Sequence, residues 1–345
     1  MEDYRYELPS ELVAHAPAEP RDSARLLVYL TDRDEVIFDT FANIANYIPT
    51  GSLLALNDTR VVPARIECVK PDGASVRILF LFNEWDRKGP IKGLPDRRLD
   101  VGDSISVDGA PVARVVSQKN QEFSFEPFMS ADQFIALALK RGTTPLPPYI
   151  QTPLTESDAR EKYQTIFAAP SPASVAAPTA SLHFTERVFD TLTEKGIDRV
   201  YVTLHVGRGT FSPVTQEMVA SERLHTEPIN IPAESAAAIS AAKKEGRPVI
   251  AAGTTAVRAL ESVSAAILSG AAYGGDTSLM IKPPYGFAIV DGLITNFHMP
   301  GTSLLMLVDA FLQSKGARKS WRELYEIAIR EKFRFYSFGD AMLIM

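Results

Sequence analysis

Cysteine is almost absent: Cys68 is the only one in 345 residues. That excludes an intramolecular disulfide and fits a reducing compartment. Thiolate zinc sites go with it, and the five histidines offer no substitute, because none stand at the tight spacing zinc needs. Long apolar runs are missing too. The most apolar helical stretch, SLLMLVDAFL from Ser303, is short and interrupted by Asp309, so no membrane span is expected. The start, MEDYRYELPSE, is charged where a signal peptide would be apolar, which makes the cytoplasm the default location. No G-x-G-x-x-G leads from a strand into a helix, and neither a P-loop nor G-x-S-x-G occurs. An excess of positive charge is also lacking. The net charge of −6 argues against a surface that grips nucleic acid everywhere, while leaving room for a local basic face.

What remains is globular. Hydrophobic residues make up 46% and charged residues 23%, and the length favours two domains over one core. RLLVYL (25–30) and EVIFDTF (35–41) flank the turn TDRD and read as a hairpin. A short helix is expected over 42–47 and a further strand at SLLALN (52–57). Between about Pro63 and Phe128, strand-like runs alternate with PDG and DG turns and no helical period appears, the pattern of a small antiparallel barrel or sandwich. Helical signals resume with Ser130 and Gln133 as a capping box and Gly142 as the stop. Residues 64–127 therefore read as an insertion into a discontinuous α/β domain formed by 1–63 and 128–345.

PLPPYI (145–150) is a rigid connector. Thr185 caps a helix with Val188, Phe189 and Leu192 on one face, ending at Gly196. In RVYVTLHVG, Val200, Val202, Leu204 and Val206 face one way and Tyr201, Thr203 and His205 the other. Helix ESAAAISAAKKEG, strand PVIAAG, helix TTAVRALESVSAAIL and the helices TSLLMLVDAFLQSKG and SWRELYEIAIREK follow. Helices alternating with buried strands give an α/β main domain.

Four of the histidines, His183, His205, His225 and His298, fall at element boundaries, where α/β folds place their sites. ASVAAPTASLHFT (173–185) has little side-chain bulk ahead of His183. It fits either a platform for a flat substrate or a loop packed closely on the sheet. At the strand–GTT–helix junction, Gly253 lets the backbone turn while Thr254 and Thr255 offer hydroxyls beside free N–H groups, although a plain helix cap accounts for it as well. Arg258, one turn into that helix, gains nothing from the helix dipole, which points to a functional partner. Asp340, after Gly339, is either a turn residue or a group that orients a histidine or protonates a leaving group. The insertion carries Arg87, Lys88, Lys92, Arg97 and Arg98 against Asp86 and Asp96, a solvated loop or a phosphate-contacting edge.

Taken together, LNDTRVVPAR, PLPPYI, YQTIFA, SVAAPTASLHFT, TLHVGRGTFSPV, AAGTTAVRALES, DGLITNFHMPGTSLLMLV and FSFGDAMLI resemble the S-adenosylmethionine:tRNA ribosyltransferase-isomerase family of queuosine biosynthesis. The blocks stand in the family's order and cover nearly the whole chain. The family's fold, a small β-barrel set into an α/β domain, agrees with the pattern above. The resemblance implies that the ribosyl part of S-adenosylmethionine moves to 7-aminomethyl-7-deazaguanine at the tRNA wobble position, giving epoxyqueuosine with release of adenine and methionine. S-adenosylmethionine is then a co-substrate, the partner is the precursor tRNA, and no cofactor, metal or membrane is called for; a monomer is expected. On this reading His183, His205 or His298 supplies a base, and Asp340 or another histidine an acid. Asn57, Asp58, Arg60, Thr179, Thr254, Thr255, Arg258 and Asn296 fall within the matching motifs as substrate-binding candidates. The chain departs from the family pattern at Ser181, Arg208, Gly301 and Phe338. Those departures leave two alternatives, a non-catalytic RNA- or nucleotide-binding relative and an enzyme with a non-tRNA acceptor.

Overall fold

The structure, a computed structural model, describes residues 2–150, 154–170, 172–207 and 214–345. Strands β1 (Arg25–Leu30) and β2 (Glu35–Thr40) form the expected hairpin, and β3 (Leu53–Asn57) follows. The helix expected over 42–47 is a 3₁₀ helix over Phe41–Asn46, the tighter form used for short connectors. Past the two-residue β4 (Arg60–Val61) come β5 (Arg65–Val69), β6 (Ser75–Phe80), β7 (Ile91–Pro95), β8 (Ser104–Val107), β9 (Ala110–Lys119) and β10 (Glu122–Pro127). These six close into a barrel in the order β10-β7-β6-β5-β8-β9. Ile66, Cys68, Ile78, Phe80, Ile91, Phe123 and Phe125 fill it, as period-2 alternation around a small barrel requires. The Cys68 thiol, desolvated there, is pushed up to about 12 and is inert.

Helix α1 (Ala131–Arg141) opens on Ser130, whose hydroxyl accepts from the Gln133 N–H while the Gln133 side chain accepts from the Ser130 N–H. Its Phe134 packs edge-on against Phe80 and so belongs to the barrel core. The joint with the main domain is tight. Gly142 ends α1 directly over the Pro63 carbonyl, and Arg65 bridges to Thr143.

The chain continues through α2 (Glu156–Lys162), β11 (Pro172–Ser174), α3 (Glu186–Glu194), β12 (Asp198–Leu204), α4 (Gln216–Ser221), β13 (Arg223–Ile231), α5 (Ala233–Lys244), β14 (Val249–Ala252), α6 (Thr254–Ser262), α7 (Ser264–Leu268), β15 (Tyr273–Leu279), β16 (Gly292–Asn296), α8 (Ser303–Ser314), α9 (Trp321–Arg330) and β17 (Ala341–Ile344). The single helix expected from Thr254 breaks at Val263, whose backbone leaves helical values at φ −132. Strands β13 and β15 lack an alternating apolar signal: one contains Pro228, the other the adjacent Gly274 and Gly275. They pair with each other at the sheet margin.

The main sheet has nine strands in the order β15-β13-β12-β3-β14-β16-β17-β1-β2. Strands β12, β3, β14 and β16 run parallel, while β17 is antiparallel to β16 and parallel to β1. Strands β3, β14, β16 and β17 are buried along their whole length, as parallel strands covered on both faces must be. One face carries Leu53, Ala55, Val202 and Leu293 against α5, α6, α8 and α9. The other carries Leu54, Leu56, Ile250 and Ile294 against α3 and the Phe41–Asn46 turn. The carboxyl ends of β12, β3, β14 and β16 thus lie in a row, with the start of β17 beside Asn296. Among the described residues no helix is long and apolar enough to cross a membrane.

The joint can be tested by substitution. A Cβ on Gly142 would lie 1.8 Å from the Pro63 carbonyl oxygen, whereas one on Gly89 meets nothing within 4 Å. Gly142→Ala is expected to lower unfolding stability by about 3 kcal/mol. Gly89→Ala should stay within about 0.5 kcal/mol, both read from denaturant midpoints.

Candidate active site at the carboxyl edge of the sheet

The site is organised by Asn296, the last residue of β16. Its amide Nδ2 donates to His183 Nε2 at 3.3 Å and to the Asp340 carbonyl at 3.4 Å, while Oδ1 accepts from the Thr179 hydroxyl at 2.9 Å. All four amide positions cannot be filled this way, but both ends of the amide are engaged, which fixes its orientation. His183 is 5% exposed and packs on the Phe41 ring at 5.1 Å. Desolvation holds its pKa down to about 4 against the opposing pull of Asp340, and the ring also bonds the Arg21 backbone. The imidazole is therefore neutral at pH 7, with Nε2 as the acceptor facing Asn296.

A second group lies across β14. Asn57, ending β3, donates to the Leu204 carbonyl and to Thr255 Oγ1, and its Oδ1 accepts from the N–H groups of Thr59 and Leu204. Thr59 Oγ1 lies 2.8 Å from His205 Nδ1. Burial lowers the His205 pKa as well. Strands β3 and β16 are two places apart in the sheet, about 10 Å, and by the register Asn57 starts from the face that carries Thr295 while Asn296 starts from the other. Gly253 fills the gap at φ +93, with the Ala180 side chain above it.

Several expectations need correcting. His298 does not join His183: its Nε2 pairs with Thr295 Oγ1 at 2.7 Å, and Thr295 and Asn296, as neighbours in a strand, point to opposite faces. Tyr325 donates no proton there but accepts from the His298 N–H, and Tyr6 donates to the His298 carbonyl. Burial pulls the His298 pKa to about 3. The Asp340 carboxylate is held by four donors: Oδ1 accepts from the Arg25 N–H and from the Arg334 guanidinium at 2.9 and 3.1 Å, and Oδ2 from the Arg334 N–H. Arg60 donates to the Ala168 and Ala169 carbonyls and so braces a loop. Asp58 accepts from Thr203, and desolvation raises its pKa. Gly253, not a threonine, caps α6; Thr254 is buried. The small residues before His183 are used for packing: Val175 enters the barrel core, Ala176 the main core, and Ala177 sits with Tyr163 and Phe338. Their bulk is low because three surfaces converge on one loop.

Arg258 is paired within the protein, with the buried Glu227, and its Nε donates to the Leu279 carbonyl. His225 lies near the start of β13 and takes no part in either group. On the barrel, Lys92 is neutralised by Glu84 and Glu122 at 2.9 and 3.4 Å, so it is not a free cation. Arg98 faces Asp100 at 3.4 Å. Arg87, Lys88 and Arg97 are exposed and make no ion pair among the described residues. Of the departures, Phe338 packs edge-on against Tyr163, Gly301 has φ +71, a backbone state that favours glycine, and the Ser181 hydroxyl is buried without a partner among the described residues. Arg208 lies outside the described residues, as does Gly209. Thr59, Arg334 and Arg25 escaped the sequence reading because each acts only through a fold-dependent neighbour.

Among the described residues no cluster of histidine, cysteine, aspartate and glutamate fits a metal. Two open concavities, of about 300 and 410 Å³, lie at the amino ends of the strands, around Asp291 and Asp198. Neither includes a residue of the two groups above, so hydrogen bonding and not cavity size marks the site.

Burial of a neutral imidazole has a pH signature. Between pH 6.5 and about 4 the unfolded chain binds a proton at His183 that the fold does not, so stability falls as pH drops through that window and levels off below it. His183→Gln is expected to flatten the dependence of unfolding free energy by about 1.4 kcal/mol per pH unit near pH 5, measured by denaturant titration. An unchanged slope would mean that the ring is charged in the fold.

Comparison with known proteins bears on this geometry. A family model described as queuosine biosynthesis protein matches residues 1–344. A protein of Carboxydothermus hydrogenoformans named S-adenosylmethionine:tRNA ribosyltransferase-isomerase is 43% identical, with 100% of this chain and 99% of that one aligned. A Gloeobacter violaceus protein of the same name is 42% identical over 100% and 95%. The crystal structure of S-adenosylmethionine tRNA ribosyltransferase from Thermotoga maritima superposes with a TM-score of 0.55 at 30% identity, covering 99% of this chain and 100% of that one. With the matching model spanning almost its entire length, this chain belongs to the queuosine biosynthesis protein family.

Proposed function

We propose that the chain is a S-adenosylmethionine:tRNA ribosyltransferase-isomerase. It moves the ribosyl part of S-adenosylmethionine to the aminomethyl group of 7-aminomethyl-7-deazaguanine at the tRNA wobble position. Adenine and methionine leave, and the ribose rearranges to the epoxycyclopentane of epoxyqueuosine. The sulfonium acidifies the adjacent ribose carbon, so the reaction needs a base there and an acid for the departing purine.

The observation that carries the reading is the neutral His183, its Nε2 held by a weak 3.3 Å contact to the Asn296 amide. A base must be unprotonated at working pH and must exchange its partner for substrate at little cost, and this ring meets both conditions. His205, tied to Thr59 beyond the ends of the neighbouring strands β12 and β3, stands as the second imidazole. Asp340 already accepts four N–H donors, which supports a positioning role at the start of β17 and leaves the acid to a histidine. Thr179, Thr255, Asn57 and Asn296 offer the hydroxyls and amides for sugar and base. His298, on the opposite face, supports α9 through Tyr325.

Adenine release from S-adenosylmethionine, with and without precursor tRNA, tests this. Release is expected only with tRNA. His183→Ala and His205→Ala are expected to slow it by about a hundredfold or more, and His298→Ala, once shown to be folded, by much less. Full activity in both of the first two variants would remove the imidazoles from the chemistry. Absence of release by the unaltered protein would favour the non-catalytic relative, and release without tRNA an enzyme with another acceptor.

We also propose that the barrel, residues 64–127, acts as an inserted unit that meets tRNA phosphates through Arg87, Lys88, Arg97 and Arg98. Their exposure supports this. Reversing Arg97 and Arg98 to glutamate is expected to weaken tRNA binding and lower the salt slope by roughly one for each phosphate that is no longer neutralised, measured by titration at several salt concentrations. An unchanged slope would exclude them from the footprint.

A further inference from the structure

We propose that the junction between the barrel and the sheet, where Asn83 meets Glu227 and Arg258, binds the α-amino-acid end of S-adenosylmethionine. This rests on the function proposed above.

Asn83 stands in the 3₁₀ turn Phe82–Glu84, between β6 and β7 of the barrel. It is 5% exposed, yet neither its Nδ2 nor its Oδ1 has a hydrogen-bond partner among the described residues. Such a side chain is costly to keep, because a buried amide has lost its water and gained nothing in return. Close by, Arg258 donates Nη1 to Glu227 and Nε to the Leu279 carbonyl, while its buried Nη2 is likewise without a partner among the described residues. Gly207 joins the two. Its N–H donates to Glu227 Oε1 at 3.0 Å, and a Cβ there would lie 2.6 Å from Asn83 Nδ2 and 3.8 Å from Glu227 Cγ. Three polar atoms without a partner among the described residues thus belong to a chain of contacts that runs from Asn83 over Gly207 to Glu227 and on to Arg258, just beyond His205 at the end of β12.

Their chemistry selects the ligand. Arg258 Nη2 and Asn83 Nδ2 are donors and ask for a carboxylate; Asn83 Oδ1 is an acceptor and asks for an N–H. The α-carboxylate and α-ammonium of an amino acid supply both. Charge agrees as well. Glu227 and Arg258 together are neutral, so a zwitterion adds no net charge to a buried place, whereas a phosphate would face the Glu227 carboxylate and leave Oδ1 unanswered. Position agrees too: Arg258 follows Thr255 by one turn of α6, so a ligand anchored here extends along the carboxyl edge toward His205 and His183. Access requires the Phe82–Glu84 turn to move off Gly207, which makes the barrel part of the S-adenosylmethionine site and not only of the tRNA surface.

The test is Asn83→Leu in the full-length protein, with Asn83→Ser as a second variant should the larger side chain fail to fold. Removing an unpartnered buried amide is expected to leave Tm unchanged or raise it. Loss of hydrogen bonds to charged groups is expected to raise KM for S-adenosylmethionine about ten- to hundredfold, with kcat little altered. The variant should also lose most of the discrimination that the unaltered enzyme makes against the decarboxylated analogue. A folded variant with unaltered KM and unaltered discrimination overturns the proposal while leaving the proposed function standing. If the unaltered protein releases no adenine, the function fails first, and calorimetric binding of S-adenosylmethionine then decides: weakening of about tenfold in the variant supports the site, and equal affinity, or no binding by either protein, overturns it.

Discussion

The side-chain amide of Asn296 is the point on which the site turns. It terminates a strand that is buried on both faces, so its backbone cannot move without disturbing the sheet. From that fixed place it holds the loop through Thr179, the start of β17 through the Asp340 carbonyl, and the His183 ring. Two segments far from β16 in sequence, 179–183 and the start of β17, are brought into register by one amide. A buried network of this kind holds together only while each member is satisfied. The Arg334–Asp340 pair performs the same service one strand further on, pinning the turn that delivers β17.

Parallel pairing explains why the polar residues gather where they do. Four parallel strands end together, and the backbone groups beyond those ends are open to side chains or ligands. Residues that pattern analysis treats as separate signals, such as Asn57, His205, Gly253 and Asn296, become neighbours only because the strand order β12-β3-β14-β16 interleaves distant parts of the chain. The same interleaving divides the histidines. His183 and His298 flank one strand, but the two-residue repeat sends their partners, Asn296 and Thr295, to opposite faces.

What could be read from the sequence follows physical locality. The hairpin β1–β2, the capping box at Ser130, the alternation in β12 and the barrel strands all depend on neighbours within a few positions, and the structure has each of them. The four donors on the Asp340 carboxylate, the pairing of Lys92 with Glu84 and Glu122, and the packing of Ala176 and Ala177 were not legible, since each depends on what the fold brings from elsewhere. The small residues 175–177 of that loop are taken up by packing for that reason. Low side-chain bulk signals close approach, but it does not say of what, and here it is the barrel, the sheet and the Tyr163 cluster. β13 and β15 were missed because Gly274, Gly275 and Pro228 carry strand geometry at a sheet margin without the apolar signature of a core.

The contact of Gly142 with the Pro63 carbonyl is one of several ties between barrel and sheet. The chain leaves the sheet and returns to it at nearly the same point, but Val175 also reaches into the barrel core and Asn83 closes on Gly207. A hinge at the crossing point alone therefore cannot swing the barrel free: any movement of the barrel must also withdraw a residue from its core or open the contact beside β12.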